Sequence, residues 1–148
     1  MRKRSQRIQP IRKLAAHHEK DAARELGQAL RTLETHKQQL EQLLRYRQEY
    51  ALQMTSRGSQ GISAARLQEY QAFMETLDQN IANQEAHILE AEQVCRELRA
   101  VWQQRHGRTD SLGKAITRLE KHEATGERRR EQREADELSG RIRREPTT

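Results

Sequence analysis

The sequence predicts an all-α protein, an elongated antiparallel two-helix coiled coil in which the chain folds back once on itself. A heptad repeat of apolar residues runs along two long stretches, and one turn-forming segment, 54–62, separates them. The composition agrees, because only 33% of the 148 residues are hydrophobic and 34% are charged. So few apolar residues suit the narrow seam of a two-helix coiled coil better than the core of a compact globule.

The heptad repeat places mostly apolar side chains at the a and d positions, which face the partner helix in a coiled coil. In the first stretch d and a alternate, starting with d, through Ala22, Leu26, Ala29, Leu33, His36, Leu40, Leu43, Arg47, Tyr50 and Met54. In the second stretch the order starts with a and runs through Leu67, Tyr70, Met74, Leu77, Ile81, Gln84, Ile88, Ala91, Cys95, Leu98 and Trp102, then Leu112, Ile116 and Leu119. A repeat this long favours helices over disorder, which low hydropathy and high charge alone would indicate.

The segment between the two stretches has the chemistry of a turn. Gly58 and Gly61 can adopt a positive φ, and Ser63 can cap the helix that follows. If the chain reverses between Gly58 and Ser59, Tyr50 lies opposite Leu67 and Leu33 lies opposite Gln84. Every such pairing joins an a position to a d position, which favours one antiparallel hairpin over a parallel dimer of long helices or a four-helix dimer of hairpins.

Pro10 and the charged end of the chain set the expected boundaries. Because proline disfavours helix in the residue before it, we expect the first helix over about 11–55, a turn at 56–62 and the second helix over about 63–122. The hairpin domain then covers 1–126. Residues 127–148 have mixed charge and almost no apolar seam, so we expect a mobile tail.

Charge is distributed unevenly around a net value of +6. Residues 1–14 carry six basic and no acidic side chains, whereas 15–95 carry eight basic and twelve acidic ones. A basic terminal end and a mildly acidic turn region suggest different partners at the two ends. The single cysteine rules out an intrachain disulfide, and no apolar run indicates a secretory signal or a membrane span.

The sequence shows no catalytic, cofactor or metal site. It has neither a phosphate-binding Gly-x-x-x-x-Gly-Lys-Ser/Thr loop nor a Gly-x-Ser-x-Gly elbow, and its six histidines lack zinc-site spacing. We therefore expect a protein that is not an enzyme and binds no small molecule. A nucleic-acid-binding coiled coil is the alternative suggested by the Arg128–Arg130 run, although acidic residues interleave with the basic ones there.

A docking surface is predicted along one flank of the seam, near the turn. Its members occupy alternating g and d positions of the two helices: Gln39, Leu43, Tyr46, Tyr50, Phe73, Leu77, Asn80 and Gln84. Tyr46 and Phe73 stand at g positions, which a two-stranded coiled coil does not fully cover. These exposed rings predict a partner contact. The alternative is that the rings only widen the seam locally.

The residues around the turn resemble the FliJ family, the small coiled-coil component of the bacterial flagellar protein export apparatus. The resemblance covers about residues 5–120 and rests on the aromatic set Tyr46, Tyr50, Tyr70 and Phe73 around the turn. The wider pattern comprises Leu40, Leu43, the Tyr46-Arg47 pair, the turn Gly61-Ile62-Ser63, Leu67, Leu77, Ile81 and Trp102. The chain departs from the family pattern in its charged tail and in Arg47, which interrupts the seam.

The resemblance implies a hairpin similar to the central stalk of rotary ATPases. It implies three partners: the hexameric export ATPase, the cytoplasmic domain of the membrane export gate, and export chaperones. It also implies a cytoplasmic protein peripherally associated with the inner membrane at the flagellar base, needed for flagellum assembly and motility. The related stalk of a virulence-type secretion system is an alternative.

Under this resemblance the flank near the turn contacts the gate, and the terminal end enters the ATPase pore. The ATPase-binding set combines basic and apolar residues of both helices: Arg4, Arg7, Ile8, Ile11, Leu112, Ile116 and Leu119. Charges of this kind steer association, and apolar side chains supply affinity.

Overall fold

The computed structural model describes residues 2–144, which form two helices, α1 (Arg4–Gly58) and α2 (Ala64–Arg144), and no strand. The helices pack against each other in opposite directions, as the contact of Tyr50 with Tyr70 and the ion pair of Arg47 with Asp78 show. The predicted all-α antiparallel hairpin is confirmed.

The chain divides into two compact units, and each contains a segment of both helices. We call Ala22–Trp102, which includes the loop between the helices, the loop unit. We call Met1–Asp21 together with Gln103–Thr148 the terminal unit.

The predicted seam forms the core of the loop unit. Every predicted a and d residue from Ala22 to Met54 and from Tyr70 to Trp102 is buried or half-buried. Leu77, Ile81 and Cys95 are the most enclosed α2 residues of the loop unit, with 4%, 8% and 6% of their surface exposed. Leu67 is the exception at 47% exposed. The heptad repeat therefore identified the buried face almost completely.

The loop begins with the end of α1 at Gly58. Gly61 has φ of 91°, a conformation that side chains with a Cβ rarely adopt. The Ser63 hydroxyl accepts a hydrogen bond of 3.3 Å from the Arg66 amide, which confirms Ser63 as the cap of α2. Because α1 continues to Gly58, the loop is 59–63 rather than the predicted 56–62.

The predicted pairing of the helices is wrong, by about one helical turn in the part of the loop unit where Gln84 and Tyr50 find their partners. Gln84 contacts His36 rather than Leu33, and Tyr50 contacts Tyr70 and Phe73 rather than Leu67. The chain reverses around Gly61, not between Gly58 and Ser59, so each residue of α1 meets a partner farther along α2 than expected.

Helix α1 begins at Arg4, well before the predicted start near residue 11, and Pro10 lies inside it. The Gln6 side chain accepts a hydrogen bond from the Lys3 amide at 3.4 Å, as in half of a capping box. Proline removes one backbone hydrogen bond near the start of the helix. Packing and polar contacts with α2 on both sides of Pro10, described below, offset that loss.

Helix α2 ends at Arg144 rather than near 122. No proline interrupts the sequence between Ala64 and Pro146, and side chains four residues apart support the helix, as Gln132 does by donating to Asp136 at 3.3 Å. The expected mobility of the tail stays a prediction, and its residues 145–148 lie outside the described residues.

Candidate partner-binding surfaces

Four aromatic rings meet in the loop unit, and we call Tyr46, Tyr50, Tyr70 and Phe73 the aromatic cluster. The Tyr50 ring is central, with its centroid 4.5 Å from that of Phe73 and 5.5 Å from that of Tyr70. Tyr46 meets the Phe73 ring edge-on at 5.9 Å. The proximity predicted for Tyr46 and Phe73 is present, and such ring pairs fix one another's orientation.

Half of the Tyr46 surface is exposed, whereas Tyr50, Tyr70 and Phe73 are half-buried. Of the other residues assigned to the gate-binding surface, Gln39 and Asn80 are exposed, Leu43 and Gln84 are half-buried, and Leu77 is buried in the core. The accessible part of this surface is therefore an aromatic ring flanked by uncharged amides.

A polar layer that the sequence reasoning did not anticipate crosses the seam beside this surface. Gln84 Nε2 donates to the His36 carbonyl oxygen at 2.9 Å and to Gln39 Oε1 at 3.1 Å. The His36 ring stacks on the His87 ring with centroids 5.7 Å apart. The sequence places the polar residues His36 and Gln84 at seam positions, which could have indicated this layer. The assumed pairing set Gln84 opposite Leu33, so it did not predict their contact.

Arg47, the charged residue in the seam, reaches out to Asp78 on α2. Its Nε donates to Asp78 Oδ1 at 2.6 Å, and Nη2 donates to Oδ2 at 3.4 Å. These hydrogen bonds raise the pKa of the Arg47 guanidinium and lower that of the Asp78 carboxyl. The long side chain lets its stem occupy the seam while its charge stays near solvent.

The residues assigned to the ATPase contact all lie in the terminal unit and differ in accessibility. Arg4 and Arg7 are exposed, and Ile11 is 47% exposed. Ile8, Leu112 and Leu119 are half-buried, whereas Ile116, at 4% exposed, belongs to the core. The two arginines and Ile11 are therefore the members that present most surface.

The first turn of α1 is fastened to α2 by two carboxylates. The Ser5 amide donates to Glu123 Oε1 at 3.2 Å, and the Ser5 hydroxyl donates to Oε2 at 2.7 Å. Glu123 thus acts on a free amide at the helix start as a capping side chain does, and its negative charge suits the helix dipole there. The hydroxyl hydrogen bond lowers the pKa of Glu123.

Lys3 Nζ pairs with Glu127 Oε1 at 2.5 Å beside this carboxylate. The hydrogen bond lowers the pKa of Glu127 and raises that of Lys3. Neither the Ser5–Glu123 hydrogen bonds nor the Lys3–Glu127 ion pair was predicted from the sequence, because the assumed pairing placed residues 3 and 5 opposite a different part of α2.

An open groove of about 810 Å³ lies farther along the terminal unit. His106 Nδ1 lies 2.5 Å from Glu19 Oε1 on one wall. The Arg12 guanidinium lies against Gly113, where an added Cβ would stand 3.2 Å from Nε. Gly113 therefore permits an arginine to pack directly on the backbone of α2. Acidic and basic side chains mix along this groove, so it favours no single charge of ligand.

Residues 2–144 contain no group of three or more His, Cys, Asp or Glu side chains arranged to hold a metal ion. The only cysteine, Cys95, is buried with its thiol free. Within the same range no helix is both long and apolar enough to cross a membrane.

The fold and these surfaces define the class of the molecule as an antiparallel coiled-coil hairpin with a partly exposed aromatic cluster. The chain matches the family model of the flagellar FliJ protein over residues 4–146, and it belongs to that family. The resemblance seen around the turn is thereby confirmed, and membership supports a role in flagellar protein export.

A curated relative gives the same result. The chain is 28% identical over 131 residues to the flagellar FliJ protein of Escherichia coli strain K12, and the match covers 88% of this chain and 89% of that protein. No solved structure matches the chain significantly.

Proposed function

We propose that this chain is a non-enzymatic stalk and adaptor of the flagellar protein export apparatus. In this role it binds and stimulates the hexameric export ATPase, contacts the cytoplasmic domain of the export gate, engages export chaperones, and is needed for flagellum assembly and motility. The observation that carries the proposal is the aromatic cluster, partly exposed on a hairpin of the FliJ family.

The aromatic cluster is the proposed gate contact. Tyr46 is 50% exposed and held edge-on by Phe73, so it offers a pre-oriented ring with little entropy left to lose on binding. Exposed aromatic anchors of this kind dominate binding energies at protein interfaces. Gln39 and Asn80 beside the ring supply uncharged hydrogen-bonding groups.

The terminal unit is the proposed ATPase contact. Arg4 and Arg7 are exposed beside the fastened start of α1, where they can accelerate association with an acidic surface. Ile11, 47% exposed, supplies an apolar contact nearby. The proposal includes residence on the cytoplasmic face of the inner membrane, reached through the partners rather than through a helix of the chain.

The test introduces substitutions into one of the two proposed contact surfaces at a time. Replacing both Tyr46 and Phe73 by Ala is expected to weaken gate binding about thirtyfold, the cost of losing an anchor worth about 2 kcal/mol, and to spare ATPase stimulation. Reversing Arg4 and Arg7 to Glu is expected to reduce ATPase stimulation and to leave gate binding unchanged. Gate binding is measured by titration with the purified cytoplasmic domain and ATPase stimulation by phosphate release, with thermal melting as the check on folding.

The controls make similar changes at exposed positions of the loop unit outside the aromatic cluster: Leu52→Ala for the truncation, and Arg31→Glu with Arg45→Glu for the charge reversal. Joint loss of both partners with a large fall in melting temperature would show that the rings only pack the seam. Normal swimming and normal filament export in a strain lacking the protein would refute the flagellar role itself.

A further inference from the structure

The segment between the helices contains two glycines at which the chain can reverse. Gly61 occupies the observed reversal with φ of 91°, and Gly58, three residues earlier, is the last residue of α1. Either glycine can supply the positive φ that a tight reversal needs. Three residues are close to one turn of an α-helix, so the two reversal points correspond to two registers of the same hairpin.

The apolar seam is compatible with both registers. We call the pairing that reverses between Gly58 and Ser59 the second register. In this pairing the a positions of one helix face the d positions of the other, as Leu40 faces Leu77. In the observed register nearly all of the same a and d residues of the loop unit are buried or half-buried. The heptad repeat alone therefore does not select one register.

The polar layer at His36 and Gln84 does distinguish the two registers. In the observed one Gln84 Nε2 donates to the His36 carbonyl oxygen at 2.9 Å and to Gln39 Oε1 at 3.1 Å. In the second register Gln84 faces Leu33, and His36 faces Ile81. Polar groups enclosed beside apolar side chains lose hydrogen bonds to water without gaining others, which is unfavourable. A polar residue at a seam position fixes the register of other coiled coils in this way.

The ion pair of Arg47 and Asp78 favours the same register. Its two hydrogen bonds, of 2.6 and 3.4 Å, exist in the observed pairing. In the second register Arg47 faces Tyr70, and Asp78 faces Gln39, so the charges separate. Because the pair is exposed to solvent, we expect it to contribute less than the polar layer.

The register also decides how the aromatic cluster assembles. Tyr50 is its central ring in the observed register, 4.5 Å from Phe73 and 5.5 Å from Tyr70 between ring centroids. In the second register Tyr50 faces Leu67 instead. A change of register would therefore rearrange the cluster from its centre.

We propose that the loop unit is a two-register device. The His36–Gln84 layer holds the observed register, and weakening this layer lets the two helices slide into the second register. Sliding of one packed helix past another by about one turn is an established kind of switching transition. The inference goes beyond the proposed function, because it concerns a conformational change of the chain itself. Only its consequence for gate binding rests on that function.

The test measures the register as a distance between two spin labels on the full chain. Cysteines replace the exposed Glu34 on α1 and Glu75 on α2, and Cys95→Ala removes the native thiol. In the second register each residue of α1 meets a partner nearer the loop. Pulsed electron paramagnetic resonance should then report a distance shorter by at least about 5 Å, one helical turn. Labels at Glu75 and Glu97, both on α2, give a distance that the register does not change.

The first variant combines His36→Leu with Gln84→Leu. Leucine packs in either register, so this pair removes the penalty on the second one. The expected result is a second, shorter distance in at least about a tenth of the molecules, where the unchanged chain gives a single distance. The matched control, Gln42→Leu with Asn83→Leu, adds two leucines at exposed positions outside the seam and should keep the single distance.

The two glycines provide an independent measurement. Gly61→Ala strains the observed loop, because φ of 91° is unfavourable for alanine, and should enrich the shorter distance. Gly58→Ala is tolerated in the observed register, where the added Cβ would lie 3.6 Å from Ile62 Cδ1, an ordinary contact. It removes the glycine of the second reversal. Added to the leucine pair, Gly58→Ala should therefore restore the single distance.

A folded leucine pair that keeps only the original distance would overturn the inference, and so would a shorter distance that Gly58→Ala fails to remove. Thermal melting checks folding, and if the leucine pair does not fold, the Gly61→Ala distance decides in its place. Gate binding is read separately. A second distance with unchanged gate binding would support the two registers while counting against the aromatic cluster as the gate contact.

Discussion

The same heptad register runs through both units of the molecule, but its a positions on α1 hold different chemistry. In the loop unit they include Leu26, Leu33 and Leu40, whereas in the terminal unit they are Ser5, Arg12 and Glu19. Each of these polar residues meets a fitted partner on α2: Ser5 meets Glu123, Arg12 meets Gly113 and Glu19 meets His106. Apolar burial contributes to both units, since Ala15 and Ile116 are buried in the terminal unit, but the terminal unit adds specific polar contacts at the a positions of α1, where the loop unit has leucines.

This difference has consequences for how each unit responds to change. Apolar packing is insensitive to salt and to moderate pH, and its loss costs energy in proportion to the volume removed. Polar contacts near the surface respond to pH and ionic strength, and they act on a few neighbouring residues.

The largest effect is expected from Leu77→Ala in the loop unit. Leu77 is 4% exposed, and truncating such a residue removes buried methylenes and leaves a cavity, which together cost about 2–4 kcal/mol of unfolding free energy. Chemical denaturation followed by circular dichroism measures the loss. The matched control, Leu89→Ala at 66% exposed, should change stability by less than about 0.5 kcal/mol. Equal losses would contradict the assignment of the core.

Two glycines of α2 give a smaller effect of opposite sign. Gly107 has open space around it, so Gly107→Ala should stabilise the chain by about 0.8–1 kcal/mol through helix propensity alone. Gly113→Ala should gain less, because its Cβ would lie 3.2 Å from Arg12 Nε and displace the guanidinium. In an Arg12→Ala background the two gains should become equal. Equal gains with Arg12 present would show that the arginine does not pack there.

A local effect is expected at Glu123, whose folded-state pKa lies below the usual 4.5. The carboxylate therefore stabilises the start of α1 at pH values above about 4.5, and the contribution disappears as pH falls through the lower folded-state pKa. Hydrogen-exchange protection of the Ser5 amide, corrected for the intrinsic rate, should drop over that acid range. Glu123→Gln should flatten the dependence, whereas Glu120→Gln should leave it intact. A fall that persists in Glu123→Gln would exclude this carboxylate as the cause.

The smallest effect is expected at Arg47. Because its ion pair with Asp78 is solvent-exposed and its stem occupies a seam position, Arg47→Leu should slightly raise the melting temperature. Asp78→Asn, which breaks the pair but keeps the arginine, is the control and should not raise it. A marked fall for Arg47→Leu would mean that polar contacts support the loop unit as well.

The sequence located the helices and the buried face because both depend on local periodicity. Tyr46 and Phe73 could be placed side by side from their g positions, and the structure brings them together. The helix ends were less predictable. Pro10 is a weak barrier when the residues around it have partners on the other helix, and the charged tail continues α2 to Arg144, with Gln132 bonded to Asp136 one turn on.

The two helices, the turn with Ser63 as a cap and the apolar seam can all be read from the amino-acid sequence. These follow from patterns that repeat within one or two turns of a helix. The register is visible only in the folded molecule, because a shift of about one turn preserves a plausible heptad match on both sides. In the observed register Gln84 meets His36, Asp78 meets Arg47 and Glu123 meets Ser5, whereas the assumed pairing placed Ser5 opposite Leu112. Specific polar partners depend on the position of the loop, and the reversal around Gly61 sets that position.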